Sequence, residues 1–379
     1  MTYKVRRQKL AERWLLPEFV FDGQELRAET ALRLVDEVVE GLYPANDAAK
    51  SAERISGVVS PGFIDLQVNG GGGVLFNSTP TSFGIQKIVA AHRQYGTTGI
   101  LPTVITDTKD VLAQAVEAIL DAQNIVGILG IHIEGPHISK ARRGTHSEHL
   151  VRPMDNDTIS HVKRLKDAGI AVMITVAPEA TTSDQISALS DLGAIVSIGH
   201  SDATADETRG AIQAGVTCAT HLFNAMSPML NRTPGVTGAV INSEIAAGII
   251  VDGIHVANEM VALAMRARPT KDRMFLVSDA MPTVGGPDQF DLYGRDVRLF
   301  DGRLVNSEGS LAGAHVTLAE SVFRLANEIG IDKAETLRAA ISIPARLIGR
   351  EDCAKVIGAQ SHDLIRMDTD LKFTGFLVT

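Results

Sequence analysis

Apolar runs of β-forming residues recur along the chain, and each stops at a polar residue or a backbone breaker. The first is Phe63 to Asn69, with Gly70 to Gly73 as its exit loop; the second is Gly99 to Val104. The run Ile125 to Ile133 predicts a third strand that delivers Glu134 to its C-terminal end, because Gly135 and Pro136 break the strand at once. Further strands are predicted at Ile170 to Val176, Ala194 to Ile198, Val216 to Thr220, Ala246 to Val251 and Met274 to Val277. The fifth and sixth lead into His200 and His221, the seventh into Asp252 and His255, and the eighth into Asp279. Between them the apolar spacing turns helical. Ile85, Ile88, Val89, His92 and Tyr95 share one face, as do Val111, Leu112, Ala115, Val116, Ile119 and Leu120. Helices are also expected over 159–166, 185–192 and 259–266, and Thr204 with Glu207 forms a capping box that starts one running towards Ala214.

Eight strands alternating with helices predict an α/β fold, a (β/α)8 barrel of the TIM type, with a doubly wound open sheet as the alternative. The barrel is preferred because polar residues cluster after so many strands: Gln67, Glu134, His200, His221, Asp252, His255 and Asp279. Closure carries them all to one mouth, whereas an open sheet spreads them along an edge. Residues 1–57 are richer in charge and lack the alternation, and 351–379 contain short β-rich runs. These two segments are expected to pair as a small β-sandwich domain, leaving 58–350 as the barrel.

Composition narrows the function. The chain has 379 residues, 45% hydrophobic, enough for one large core and a smaller appendage. Its net charge of −9 and 4% aromatic content disfavour nucleic acid and anionic membrane surfaces as partners. Cys218 and Cys353 are too few for a disulfide framework, the first twenty residues hold no signal-type apolar core, and no run reaches the roughly 20 apolar residues of a membrane span. A cytoplasmic enzyme with a small-molecule substrate is the expectation.

Glu134, His200 and His221 are the candidate metal ligands: two imidazoles and a carboxylate with a fourth position for water is a common set in hydrolytic zinc sites. Any one of them alone would more often be a capping carboxylate or a histidine satisfied by backbone. Three coordinating types at strand ends of one barrel reverse that preference.

Taken in order, Ser60-Pro-Gly-Phe-Ile-Asp65, His132-Ile-Glu-Gly-Pro136, Gly199-His-Ser-Asp-Ala203, Thr220-His-Leu-Phe-Asn-Ala-Met226, Asp252-Gly-Ile-His255 and Leu276-Val-Ser-Asp-Ala280 resemble the motifs of the N-acetylglucosamine-6-phosphate deacetylase family, in the amidohydrolase superfamily. The resemblance spans about 60 to 313 and implies the same three metal ligands. It implies Asp279 as the carboxylate that takes a proton from the attacking water and returns it to the departing amine, and His146, in Gly144-Thr145-His146, as the group that polarises the acetyl carbonyl. For the substrate it implies Thr145, Asp252, Arg232 and His255, the backbone amides of Asn224 and Ala225, and a closing loop at Leu311-Ala312-Gly313. Arg232 and His255 are expected at the phosphate and, in a homodimer, across the subunit interface. Where many amidohydrolases carry His-x-His, this chain has Gln67-Val68-Asn69, which favours a single divalent ion, zinc first and iron or another divalent ion next, with Gln67 holding a water at most. His132 is expected to pack within its strand, His137 has no assigned role, and Gly70 to Gly73 read as a flexible loop rather than a phosphate cradle.

The implied activity is hydrolysis of N-acetyl-D-glucosamine 6-phosphate to D-glucosamine 6-phosphate and acetate, in amino-sugar catabolism or recycling. An enzyme acting on N-acetylgalactosamine 6-phosphate or another amide is the alternative of the same class. A silent sugar-phosphate-binding scaffold is the alternative of another class, disfavoured because binding alone has no use for Asp279.

Overall fold

The computed structural model describes residues 11–306, 309 and 311–378. Eight parallel strands stand side by side in chain order: Phe63–Val68, Thr97–Ile105, Gly130–Glu134, Ala171–Val176, Ile195–Ile198, Cys218–Ala219, Ala246–Ile249 and Met274–Leu276. The eighth returns to the first. Val68 bridges Ala280 in parallel, the amides of Asn69 and Gly70 both donate to the Ala280 carbonyl at 2.9 Å, and the Asp279 amide donates to the Gln67 carbonyl at 3.0 Å. The sheet is therefore a barrel, and the open-sheet alternative falls. Strands such as Phe63–Val68 are buried at every position, as a strand must be when one face fills the barrel and the other packs under helices.

The connecting helices carry the predicted apolar faces. Ser82–Arg93 buries Ile85, Ile88 and His92; Lys109–Asp121 buries Leu112, Ala115, Val116 and Ile119. Ala205–Ala214 starts from the Thr204–Glu207 capping box, both halves of which are formed. Among the described residues, no helix is long and apolar enough to cross a membrane.

Four local expectations change. The apolar run from Ile125 is not strand until Gly130: Gly127 stands at φ 97°, the chain turns there, and Val126 is 70% exposed. Gly70 to Gly73 are not a loose loop. Gly70–Gly71 pairs with Val74–Leu75, and a Cβ on Gly70 would lie 2.4 Å from the Val74 carbonyl oxygen, so the glycines serve a tight hairpin. The sixth strand is only two residues long, and a buried helix, Gly235–Ile241, follows it. After the eighth strand comes a three-stranded antiparallel sheet, Gln289–Leu292, Arg295–Phe300 and Arg303–Asn306, that periodicity within the barrel did not announce. Its turns, Tyr293-Gly294 and Asp301-Gly302, are hairpin signals in hindsight.

The terminal segments meet in a second sheet. Strands Glu12–Phe21, Leu26–Ala28, Thr30–Val35, Val38–Pro44 and Glu53–Pro61 from the N-terminal side join Leu364–Met367 and Phe373–Phe376 from the tail. Leu15, Leu32, Leu34, Val39, Ile55, Val59 and Leu364 share one small core, separate from that of the barrel. Pairing of Val58 with Met367 and of Pro61 with Leu364 carries this sheet to the threshold of the first barrel strand.

Candidate active site

Each candidate ligand stands where a barrel strand ends. Glu134 is the last residue of its strand, His200 comes two residues after Ile195–Ile198, and His221 two after Cys218–Ala219. His200, His221 and Asp279 all adopt left-handed backbone, at φ 47°, 28° and 51°. Side chains other than glycine rarely do so, and they do so mostly where the surrounding structure compels it. Here the chain bends out of the barrel at the same residue whose side chain bends in.

The three side chains are buried and converge. Nε2 of His221 lies 3.1 Å from Nε2 of His200, and the two nitrogens lie 3.0 and 3.3 Å from Oε1 of Glu134. His200 donates from Nδ1 to the Arg142 carbonyl at 2.9 Å, so its Nε2 presents a lone pair. Around that lone pair, a second imidazole nitrogen and a carboxylate oxygen stand close enough to share either a proton on His221 or a cation. Ligand atoms about 2.0–2.2 Å from one tetrahedral ion stand roughly 3.3–3.6 Å apart; the three atoms here stand 3.0–3.3 Å apart, so an opening of a few tenths of an ångström lets the set hold a single divalent cation. Burial alone would raise the Glu134 carboxyl, yet the two imidazoles hold it well below the usual range; burial opposes charge on His221, and Glu134 outweighs it and raises that imidazole.

Asp279 faces the same point. Burial, then the charge of Glu134, pushes its carboxyl up to about 6. Its Oδ1 accepts from Nδ2 of Asn69 at 2.6 Å and from Nε2 of Gln67 at 3.2 Å. The same Gln67 nitrogen donates to Oε1 of Glu134 at 3.0 Å. Gln67 thus spans Glu134 and Asp279 with its amide nitrogen, while its oxygen is buried without a hydrogen-bond partner among the described residues. Asn69 was not among the expected site residues. It sits two positions beyond Gln67, on the same side of the strand by period two, and that spacing was the available signal.

A cavity of ≈ 190 Å³ opens over this cluster, and Glu134, His200, His221 and Asp279 line it. So do Thr145, His146, Asn224, Ala225, His255, Leu311 and Gly313, which the structure therefore gathers as expected. His146 is buried, its ring 4.4 Å from that of His200 between centroids, and burial pushes its imidazole down to about 3, so the ring is neutral. Asp252 stands behind His255: its Oδ2 accepts from Nδ1 of His255 at 2.6 Å, and its Oδ1 accepts from the amides of Ile254 and His255. The Asn224 amide is spent on the His221 carbonyl at 3.0 Å, leaving that of Ala225 without a hydrogen bond among the described residues. Ala312 turns away from the cavity into an apolar cluster with Met281 and Leu304. Arg232 lies on the exposed loop 228–234 and does not line this chain's own cavity. His132 is held inside the barrel by Thr175 at 2.7 Å, and His137 by Thr158 at 2.9 Å, so neither reaches the site.

The amidohydrolase family model matches residues 58–356. The N-acetylgalactosamine-6-phosphate deacetylase of Shewanella sp. (strain ANA-3) is 37% identical over 361 residues, covering 91% of this chain and 89% of that protein. The N-acetylglucosamine-6-phosphate deacetylase of Haemophilus influenzae is 30% identical, covering 88% of this chain and 89% of that protein. Among solved structures, N-acetylglucosamine-6-phosphate deacetylase from Pasteurella multocida superposes with a TM-score of 0.89 at 32% identity, covering 97% of this chain and 98% of that one.

Proposed function

Because the chain belongs to the amidohydrolase family, we propose that it hydrolyses the acetamide of an amino-sugar 6-phosphate, N-acetyl-D-glucosamine 6-phosphate, to D-glucosamine 6-phosphate and acetate. The observation that carries this reading is the convergence of Glu134, His200 and His221 on one point, with Asp279 and His146 facing the same small cavity.

One divalent cation held by Glu134, His200 and His221, zinc by the chemistry of the set, would supply Lewis acidity towards the attacking water and the acetyl carbonyl. Asp279 does the proton work. Asn69 and Gln67 hold its Oδ1, which leaves Oδ2 to accept a proton from the water as the new C–O bond forms. The same proton then passes to the amine nitrogen as the C–N bond breaks. A carboxylate held at one oxygen and free at the other suits both halves of that exchange. His146, neutral, donates a hydrogen bond to the acetyl oxygen as negative charge builds there. His255, oriented by Asp252, and the Ala225 amide meet the phosphate, and Arg232 reaches it from the second subunit of a homodimer. Two free cysteines are consistent with a cytoplasmic setting.

The relative from Shewanella favours a second reading in which the galacto epimer, N-acetyl-D-galactosamine 6-phosphate, is preferred. The epimers differ in the direction of one hydroxyl, so kcat/KM on each decides between them. Acetate release should accompany one metal ion per chain by elemental analysis, and Asp279→Asn should lower kcat by about 10²–10⁴ with the metal still bound. No acetate from either epimer with metal in place would end the deacetylase reading.

A further inference from the structure

A second polar path leads to His146, and the reaction above leaves it unused. It begins in the three-stranded sheet outside the barrel. Tyr293, in the turn between Gln289–Leu292 and Arg295–Phe300, donates its hydroxyl to the Thr106 carbonyl oxygen at 2.5 Å. Thr106 follows the second barrel strand and is fully buried, and its Oγ1 lies 2.7 Å from Nδ1 of His146. Among the described residues that hydroxyl has no other partner. The backbone keeps room for it: a Cβ on Gly135, the residue after Glu134, would lie 2.3 Å from the Thr106 Oγ1. Nε2 of His146 makes no hydrogen bond among the described residues, and the ring lines the cavity.

A neutral imidazole carries one N–H, and the partner at one nitrogen decides which nitrogen holds it. A hydroxyl that donates to Nδ1 leaves the proton on Nε2. Without that donor the ring can protonate Nδ1 and turn a lone pair towards the substrate carbonyl, which repels it. Resting on the role proposed above for His146, we propose that Tyr293 is a positioning residue: it pins the Thr106 backbone so that the Thr106 hydroxyl donates to Nδ1 and His146 presents its N–H to the acetyl oxygen. The same small sheet also reaches the loop at Leu311 to Gly313, which lines the cavity too. Val305 bridges Leu311, and the Ala312 amide donates to the Leu304 carbonyl at 3.1 Å. One appendage therefore braces both the acyl side and the loop at Leu311 to Gly313.

Tyr293→Phe removes only the hydroxyl, Thr106→Val removes the donor at nearly constant shape, and Thr106→Ser keeps it. The first two should lower kcat on the order of tenfold, with KM within about twofold and metal content unchanged, and Thr106→Ser should recover most of the loss. Combined with His146→Gln, Tyr293→Phe should cost nothing further; multiplicative losses in that background overturn the proposal. Nitrogen-15 NMR of the histidine rings reads the same question without turnover. The wild-type protein should show His146 with its proton on Nε2, and Thr106→Val should shift it towards Nδ1. If wild-type protein releases no acetate from either epimer, the proposed function falls, and the ring signals still decide this link: identical His146 tautomers in wild type and both variants overturn it.

Discussion

His200, His221 and Asp279 hold backbone angles that cost non-glycine residues of order 1–3 kcal/mol each, and all three sit at the barrel mouth. Such strain persists only where neighbours over-determine it: the closing contact with Gln67 for Asp279, the carbonyl of Arg142 and the amide of Ser139 for His200, and the amide of Asn224 for His221. Asp65 is the buried counterpart of Asp279. It accepts from the amides of Ser278 and Gln67 at 3.2 Å inside the barrel, and burial pushes its carboxyl up to about 7 against those hydrogen bonds. In the unfolded chain the same group titrates near about 3.9. The folded state therefore keeps a proton that the unfolded state has lost, and stability from this group falls as pH climbs from about 4 to about 7, then levels off. Asp65→Asn should remove that slope. Denaturant midpoints measured across this range should show wild type losing ground to the variant with rising pH; parallel curves would mean that Asp65 is ionised in the native state throughout.

Among the elements, the shortest barrel strand leads into one of the candidate ligands. Cys218–Ala219 has room for two ladder pairs on each side, so the position of His221 depends on the strands flanking it. The loop at Leu311 to Gly313 is set from the other direction, by the three-stranded sheet. Gly313 stands at φ 66°, and a Cβ there would lie 2.6 Å from Cγ of Met281 and 3.2 Å from the Asp279 carbonyl oxygen. Gly313→Ala should therefore displace the loop from Asp279. The expected result is a loss in kcat/KM on the order of tenfold, with a stability cost of about 1 kcal/mol for the left-handed backbone, read by steady-state kinetics and thermal melting. Unchanged kinetics would show that the loop does not depend on a bare backbone at 313.

For the whole molecule, closure of the barrel brings side chains from residues 67 to 279 within hydrogen-bonding distance, as the Gln67 to Asp279 contact shows. Arg232 stays outside that gathering. Its loop also exposes Met229 and Leu230. If Arg232 serves the partner's site, Arg232→Ala and Asp279→Asn chains, each nearly inactive alone, should recover about a quarter of wild-type activity when dissociated and reassociated together, because half of the sites in each mixed dimer are intact. No recovery in demonstrably mixed dimers would return Arg232 to its own subunit or to a surface role.

The candidate ligand set was legible from residue order because each of its members ends an apolar run, and the C-terminal ends of barrel strands meet at one mouth. The capping box at Thr204 was legible for a similar reason, since its two partners lie three residues apart. The hairpin at Gly70, the turn at Gly127 and the role of Asn69 were less so: they depend on which backbone passes close by, and local spacing carries no record of that. Alternation of strand and helix, together with the polar residues gathered after so many strands, determined the barrel and its working end. Only the tertiary structure decided that Gln67 spans Glu134 and Asp279, that Asp252 stands behind His255, and that a sheet outside the barrel reaches His146 through Thr106, because each of those contacts joins residues brought together by closure or packing rather than by chain order.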